Sequence, residues 1–288
     1  MFDFRYHAIS LAAVFVALVL GLLLGVAIGD QGLVSSAENR LRDDLREDVT
    51  EARRERDELE AEVEERARFE ELTYPRLVEG RLEARRVVLL FLDERSESIF
   101  DHVRDAIAPS GGDLAYSSRL RLPLDLEAIA GATEGTQFEQ VVEDVTLLDE
   151  LGRRLGVQVV RGGRLLGDVS ESLLAESSGE LQPAEAVVLV RTPGERLEDE
   201  AREQADALIE GLIAGMADLV PVVGVEEIST DPSQIPWYTE HGLASVDNVN
   251  AIPGRASLVY TLSGEADGAY GVKDTADAFI PDALVAVR

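Results

Sequence analysis

Val87-Val88-Leu89-Leu90-Phe91-Leu92 is an unbroken run of six apolar residues, bounded by Arg85-Arg86 and Asp93-Glu94. A strand wet on one face alternates apolar and polar side chains, whereas a strand covered on both faces does not. The run therefore predicts a buried strand of a mostly parallel sheet. Immediately downstream, Ser96 is placed to cap a helix that turns Ile99, Val103 and Ile107 inward.

Outward from this point, further strands are expected at residues 113–117, 186–190, 220–225 and 257–262, with a short one at 157–160. Helices are expected over residues 126–130, 138–155 and 195–217. The last has Leu197, Ala201, Ala205, Leu208, Leu212 and Met216 on one face. Strands alternating with helices predict an α/β class: a doubly wound, Rossmann-like, mostly parallel sheet domain over residues 84–288.

Upstream the chain changes character. After a tail of residues 1–7, residues 8–28 read AISLAAVFVALVLGLLLGVAI, 21 residues without a charge. At about 1.5 Å per residue this crosses a hydrocarbon core of about 30 Å. The rival is a cleaved signal peptide, with Ala27-Ile28-Gly29 as its small-residue site. The run exceeds a signal core of about 7–15 residues, and the only basic residues before it are Arg5 and His7, so a retained single-pass transmembrane helix is expected. Asp30 on the far flank favours a cytoplasmic N-terminus and an extracytoplasmic soluble domain. Gly21, Gly25 and Gly29 recur every four residues, a spacing that lets two membrane helices approach closely.

Residues 33–79 are expected to form a coiled-coil stalk. Residues 38–71 hold 23 charged residues among 34, with neither proline nor glycine. Leu41, Leu45, Val49, Ala52, Leu59 and Val63 draw a narrow apolar stripe at helical steps, which predicts a homodimer seam. Arg56 interrupts the stripe. Pro75 and Gly80 are expected to mark the end of the helix.

Composition excludes whole classes of chemistry. The formal net charge is −29, from 56 acidic and 27 basic residues, so phosphate backbones are repelled and no nucleic-acid partner is expected. The absence of cysteine removes disulfides, thiolate nucleophiles and cysteine metal sites together. The loop after the first strand, Leu92-Asp93-Glu94-Arg95-Ser96, has no glycine to cradle a phosphate. The chain contains no G-x-S-x-G elbow and no H-E-x-x-H pattern, so no cofactor, metal or catalytic residue is assigned and no enzyme is expected. Near the C-terminus, Trp237, Tyr238, His241, Tyr270 and Lys273 are two-sided. They either plug the domain's own edge or present a surface to a partner protein, with Lys273 paired locally to Asp274 or Asp277.

Four phrases carry a family resemblance. FRYHAISLAAVFVALVLGLLLG at residues 4–25, SVDNVN at 245–250, GRASLVYTLSG at 254–264 and GAYGVKDTADAFIPD at 268–282 resemble the MctB-type copper transport proteins of actinobacteria. The resemblance implies a cell-envelope protein with a role in copper export or homeostasis, assigned to the outer membrane as a channel component. The residues point to another mechanism. A membrane barrel needs about eight or more alternating strands, and copper(I) favours thiolate and thioether ligands. With no cysteine and only Met1 and Met216, the residues favour a non-catalytic scaffold with an envelope protein partner. A division or cell-wall regulatory scaffold without copper is the alternative.

Overall fold

The structure, a computed structural model, describes residues 4–29, 33–192 and 197–286, with side chains for residues 6–27, 40–192 and 197–286. Two compact units are distinguished, residues 1–68 and 69–288.

In the first unit, α1 runs from Phe4 to Gly29. Its Tyr6–Ala27 stretch is long and apolar enough to cross a bilayer, and none of it is buried. Apolar residues on every side suit a helix enclosed by apolar surroundings, and among the described residues no protein supplies them. A methyl at Gly21 or Gly25 would meet nothing within 4 Å; the surroundings of Gly29 lie outside the described residues. α2 spans Leu33–Val78, and every side chain from residue 40 to 68 is exposed. Intrahelical ion pairs such as Arg54–Glu58 and Arg66–Glu62 line its flanks. Helix α2 continues through Pro75, because its last turn brings Tyr74 and Val78 into the core of the second unit. Gly80, at φ 73°, then ends it in the left-handed conformation.

The second unit is built on seven strands: β1 (Arg86–Phe91), β2 (Asp113–Leu120), β3 (Leu174–Gly179), β4 (Ala186–Val190), β5 (Val222–Val225), β6 (Ala244–Val246) and β7 (Ala269–Tyr270). Their order is β3-β2-β1-β4-β5-β6-β7, and every pairing is parallel except β2 with β3. Alternate residues of β1 enter two cores. Val88 and Leu90 face α5 (Leu147–Arg161) and α7 (Asp199–Ala217), while Val87, Leu89 and Phe91 face α3 (Glu97–Ile107) and α9 (Ile252–Leu262). This double covering explains why the strand reads as a continuous apolar run. Ser96 caps α3 by accepting from the Ile99 amide at 3.3 Å. Tyr74, Val78 and Leu82 are buried, so the core reaches back before residue 84.

Helices α5 and α7 meet backbone to backbone. A methyl at Gly152 would lie 2.2 Å from the Leu208 carbonyl oxygen, and one at Gly156 2.3 Å from that of Leu212. In return, Gly211 and Gly215 would meet the Asp149 and Arg153 carbonyl oxygens at 2.0 and 2.2 Å. Each helix thus spends two glycines, four residues apart, on one contact.

Four expected elements differ. Residues 257–262 are helical, inside α9; that helix is buried on nearly every side, so its sequence shows no apolar stripe to set it apart from a buried strand. Residues 157–160 continue α5 rather than forming a strand. The helix expected over 138–155 is split: a 3-10 turn covers Gln137–Gln140, and α5 begins at Leu147, between α4 (Leu126–Ala132) and α6 (Arg164–Leu173) in the chain. Helix α7 starts at Asp199, after Leu197, and residues 195 and 196 lie outside the described residues.

Candidate functional site

In a doubly wound sheet, ligands sit beyond the carboxyl ends of the strands where the order reverses. Here the reversal falls between β1 and β4. Asp93 follows β1, and burial raises its carboxyl above the ordinary 3.8, against the opposing pull of Arg191 and the Thr192 backbone. Asp93 Oδ2 and Thr192 Oγ1 are buried with no hydrogen-bond partner among the described residues.

The neighbouring strand ends neutralise one another. Glu226, directly after β5, is 1% exposed. Its Oε1 accepts from Lys273 Nζ at 2.7 Å and from Ser233 Oγ at 2.8 Å, and its Oε2 accepts from the Gln234 amide at 2.5 Å. Gln234 Oε1 in turn accepts from Arg191 Nη1. A polar chain therefore runs Lys273–Glu226–Gln234–Arg191, joining the ends of β7, β5 and β4. Lys273 also donates to the carbonyls of Glu227 at 3.2 Å and Thr230 at 2.7 Å. Its three contacts hold the side-chain nitrogen in place. Its ionic partner is Glu226, not Asp274 or Asp277 as expected; Asp277 instead accepts from the Ala269 amide at 3.1 Å.

Asp247, directly after β6, is fully buried and accepts from the amides of Val272 at 2.9 Å and Lys273 at 2.8 Å. Gly271 permits this approach, since a methyl there would lie 1.8 Å from Asp247 Oδ1. Gly254 likewise lets α9 press on Asn248, 2.1 Å from its carbonyl oxygen to a methyl at that position. Three of the phrases that carry the resemblance thus fold against one another.

Tyr238 lies in α8 (Ile235–Glu240) and is fully buried. Its ring covers Gly224, its hydroxyl accepts from the Arg191 amide at 2.8 Å, and burial pushes that hydroxyl well above its usual range. Tyr238 therefore offers no surface to a partner, and Tyr270 is 9% exposed. Trp237 and His241 are half-buried. Their rings stack with centroids 4.0 Å apart, and the Arg191 guanidinium lies 5.0 Å from the Trp237 ring centre.

A second cluster joins α3 to α9. His102 Nδ1 accepts from Arg255 Nη2 at 2.9 Å, and its Nε2 lies 3.5 Å from Glu227 Oε1. Ser98 Oγ donates to the same Glu227 oxygen at 2.5 Å. A hydrolytic triad needs a carboxylate on the imidazole nitrogen opposite the serine. Here a guanidinium occupies that place. Among the described residues no three His, Cys, Asp or Glu side chains converge on a metal position. An apolar cavity of about 30 Å³ lies under the sheet, lined by residues including Leu90, Tyr116, Leu155 and Leu212, none of them in the strand-end chain. Sequence reading passed over Arg191, Glu226, Gln234 and Asp247. The available signal was the acidic pair or Asp-Asn pair standing directly after an apolar strand, at Glu226-Glu227 and Asp247-Asn248.

These features define an α/β protein whose strand ends are tied together by an internal polar chain, with an N-terminal helix suited to a bilayer. The chain belongs to the MctB family, described as "Copper transport outer membrane protein, MctB", whose family model matches residues 1–281. It is 26% identical over 169 residues to "Copper transporter MctB" of Mycobacterium bovis, and equally to that of Mycobacterium tuberculosis, covering 59% of this chain and 51% of theirs. The chain spans about half the length of the curated relatives it matches. Among the described residues the strands form one open sheet, not a closed barrel.

Proposed function

We propose that this protein serves copper homeostasis of the cell envelope as a membrane-anchored, non-catalytic scaffold, paired through α2 and acting on copper through a partner protein. The observation that carries this reading is the apolar stripe of α2. Leu45, Val49, Leu59 and Val63 are 48–63% exposed in the single chain. Fully burying one such side chain contributes about 1.5–3 kcal/mol, and two stalks tethered to one bilayer meet at high effective concentration. Gly21 and Gly25 leave an open helix face for the same pairing.

The copper role comes from the family and from the relatives' names. The donor set argues for an indirect role. Copper(I) is held by converging sulfur or imidazole groups. The chain has no cysteine, and its methionine and histidine outside the domain are Met1 and His7, at the start of the membrane segment. Met216 is fully buried in α7, and the Nδ1 atoms of His102 and His241 are engaged by Arg255 and the Trp237 carbonyl. The N-terminus is assigned to the cytoplasm and residues beyond the membrane helix to the extracytoplasmic side.

The test uses the full chain. Leu45→Glu with Leu59→Glu should yield single chains in mild detergent and abolish copper tolerance in cells that depend on the protein, whereas His102→Ala and His241→Ala should leave tolerance intact. Retention of one equivalent of copper(I) against a chelator, lost on replacing either histidine, would instead make the chain a direct carrier.

A further inference from the structure

Within the stripe, Val49, Arg56 and Val63 are spaced seven apart, as are Leu45, Ala52 and Leu59. The step from Val49 to Ala52 is three and that from Ala52 to Arg56 is four, so the first set takes the a positions of a heptad and the second the d positions. Arg56 therefore sits at an a position, the one charged residue of the seam between Leu45 and Val63. It is exposed in the single chain, where its guanidinium reaches Asp57 Oδ1 at 2.7 Å and Glu60 Oε1 at 3.3 Å along its own helix.

We propose, resting on the paired stalk above, that Arg56 fixes the number of strands and their register: two copies, parallel and unstaggered. In that arrangement each g residue faces the e residue five positions on in the other copy. Asp48 then faces Arg53, an attractive pair, and Glu55 faces Glu60, a repulsive one. The repulsive pair brackets the Arg56 layer, where two guanidiniums stand among four carboxylates. A shift of one heptad sets Arg56 against Val49 or Val63 of the other copy. Reversal sets it against a d residue such as Ala52 or Leu59. Either leaves a guanidinium against an aliphatic layer and leaves acidic residues without its counter-charge, and burying an unpaired charge is costly. A third strand closes the side of the seam through which Arg56 reaches those carboxylates.

The experiment compares the unaltered full chain with Arg56→Leu and Arg56→Lys in mild detergent, by sedimentation and by cross-linking mixtures of Ala52→Cys and Leu59→Cys chains. The unaltered chain should sediment as two copies and give 52–52 and 59–59 links. Arg56→Leu should melt at a higher temperature yet give at least fivefold more 52–59 links or species above two copies, while Arg56→Lys keeps the original pattern. If Arg56→Leu remains a two-copy species with only like-to-like links, Arg56 does not set register and the paired stalk stands. If the unaltered chain sediments as one copy, the paired stalk falls and this inference with it.

Discussion

Nζ of Lys273 stands 2.7 Å from Oε1 of Glu226, and the carboxylate side chain is 1% exposed. This is the only lysine in the chain. The contact ties the loop after β7 to the end of β5, across the intervening β6, and the amide of the same lysine holds Asp247 at the end of β6. One residue thereby satisfies buried acids on two neighbouring strands.

Replacing Lys273 by Met should destabilise the protein by about 3–5 kcal/mol, because it strands a buried carboxylate without its cation. Adding Glu226→Gln should recover part of the loss. Urea denaturation followed by the fluorescence of Trp237 measures both, and a loss below about 1 kcal/mol for Lys273→Met would contradict the ion pair's role.

A chain beginning at residue 84 should be markedly less stable than one beginning at residue 69. The shorter chain lacks Tyr74, Val78 and Leu82, all buried, and the hydrogen bond from Tyr74 to the Ala106 carbonyl at 2.8 Å. Each lost side chain is expected to cost about 1.5–3 kcal/mol. Equal denaturation midpoints for the two chains would show that the last turns of α2 add nothing.

Asp93→Asn should stabilise the protein at neutral pH. Burial raises the folded-state pKa of Asp93 above its ordinary 3.8. Between those two values the folded state binds more protons than the unfolded state, so stability falls as pH rises through the window. The penalty is complete above the raised pKa and absent below 3.8. The substitution should remove this pH dependence, and its advantage should vanish on acidification. An advantage that persists unchanged below pH 3.8 would assign the effect to something other than charge burial.

Gly215→Ala should destabilise by about 1–3 kcal/mol or more, since a methyl there cannot fit against the Arg153 carbonyl without parting α5 from α7. Gly167→Ala is the control: nothing lies within 4 Å of its methyl, in the middle of a helix. That change should stabilise by about 0.5–1 kcal/mol. Thermal unfolding of both variants checks the contrast.

The central strands were legible because uniform burial leaves a uniform apolar sequence, as in Val187-Val188-Leu189. The same logic misassigns residues 257–262, since a helix buried all round offers no stripe to distinguish it from a strand. β3 was missed for the opposite reason: Ala175-Glu176-Ser177-Ser178 lies on an antiparallel edge, mostly exposed, and needs no apolar pattern. Of the site, Asp93 was visible at the end of an obvious strand. Glu226 and Lys273 were not read as partners, because 47 residues separate them and nearer acids were on offer. The glycine pairs of α5 and α7 carry a four-residue spacing in plain view, but spacing alone does not say which helices meet.

The loop at Gly271-Val272-Lys273 gives its two amides to one buried acid and its ammonium to another. It cannot lift away in part without desolvated carboxylates losing their donors on two strands at once. The amide hydrogens of Val272 and Lys273 should therefore exchange with solvent only through opening of the whole sheet. Although they lie beyond its last strand, they would report global unfolding as faithfully as the amides of β1.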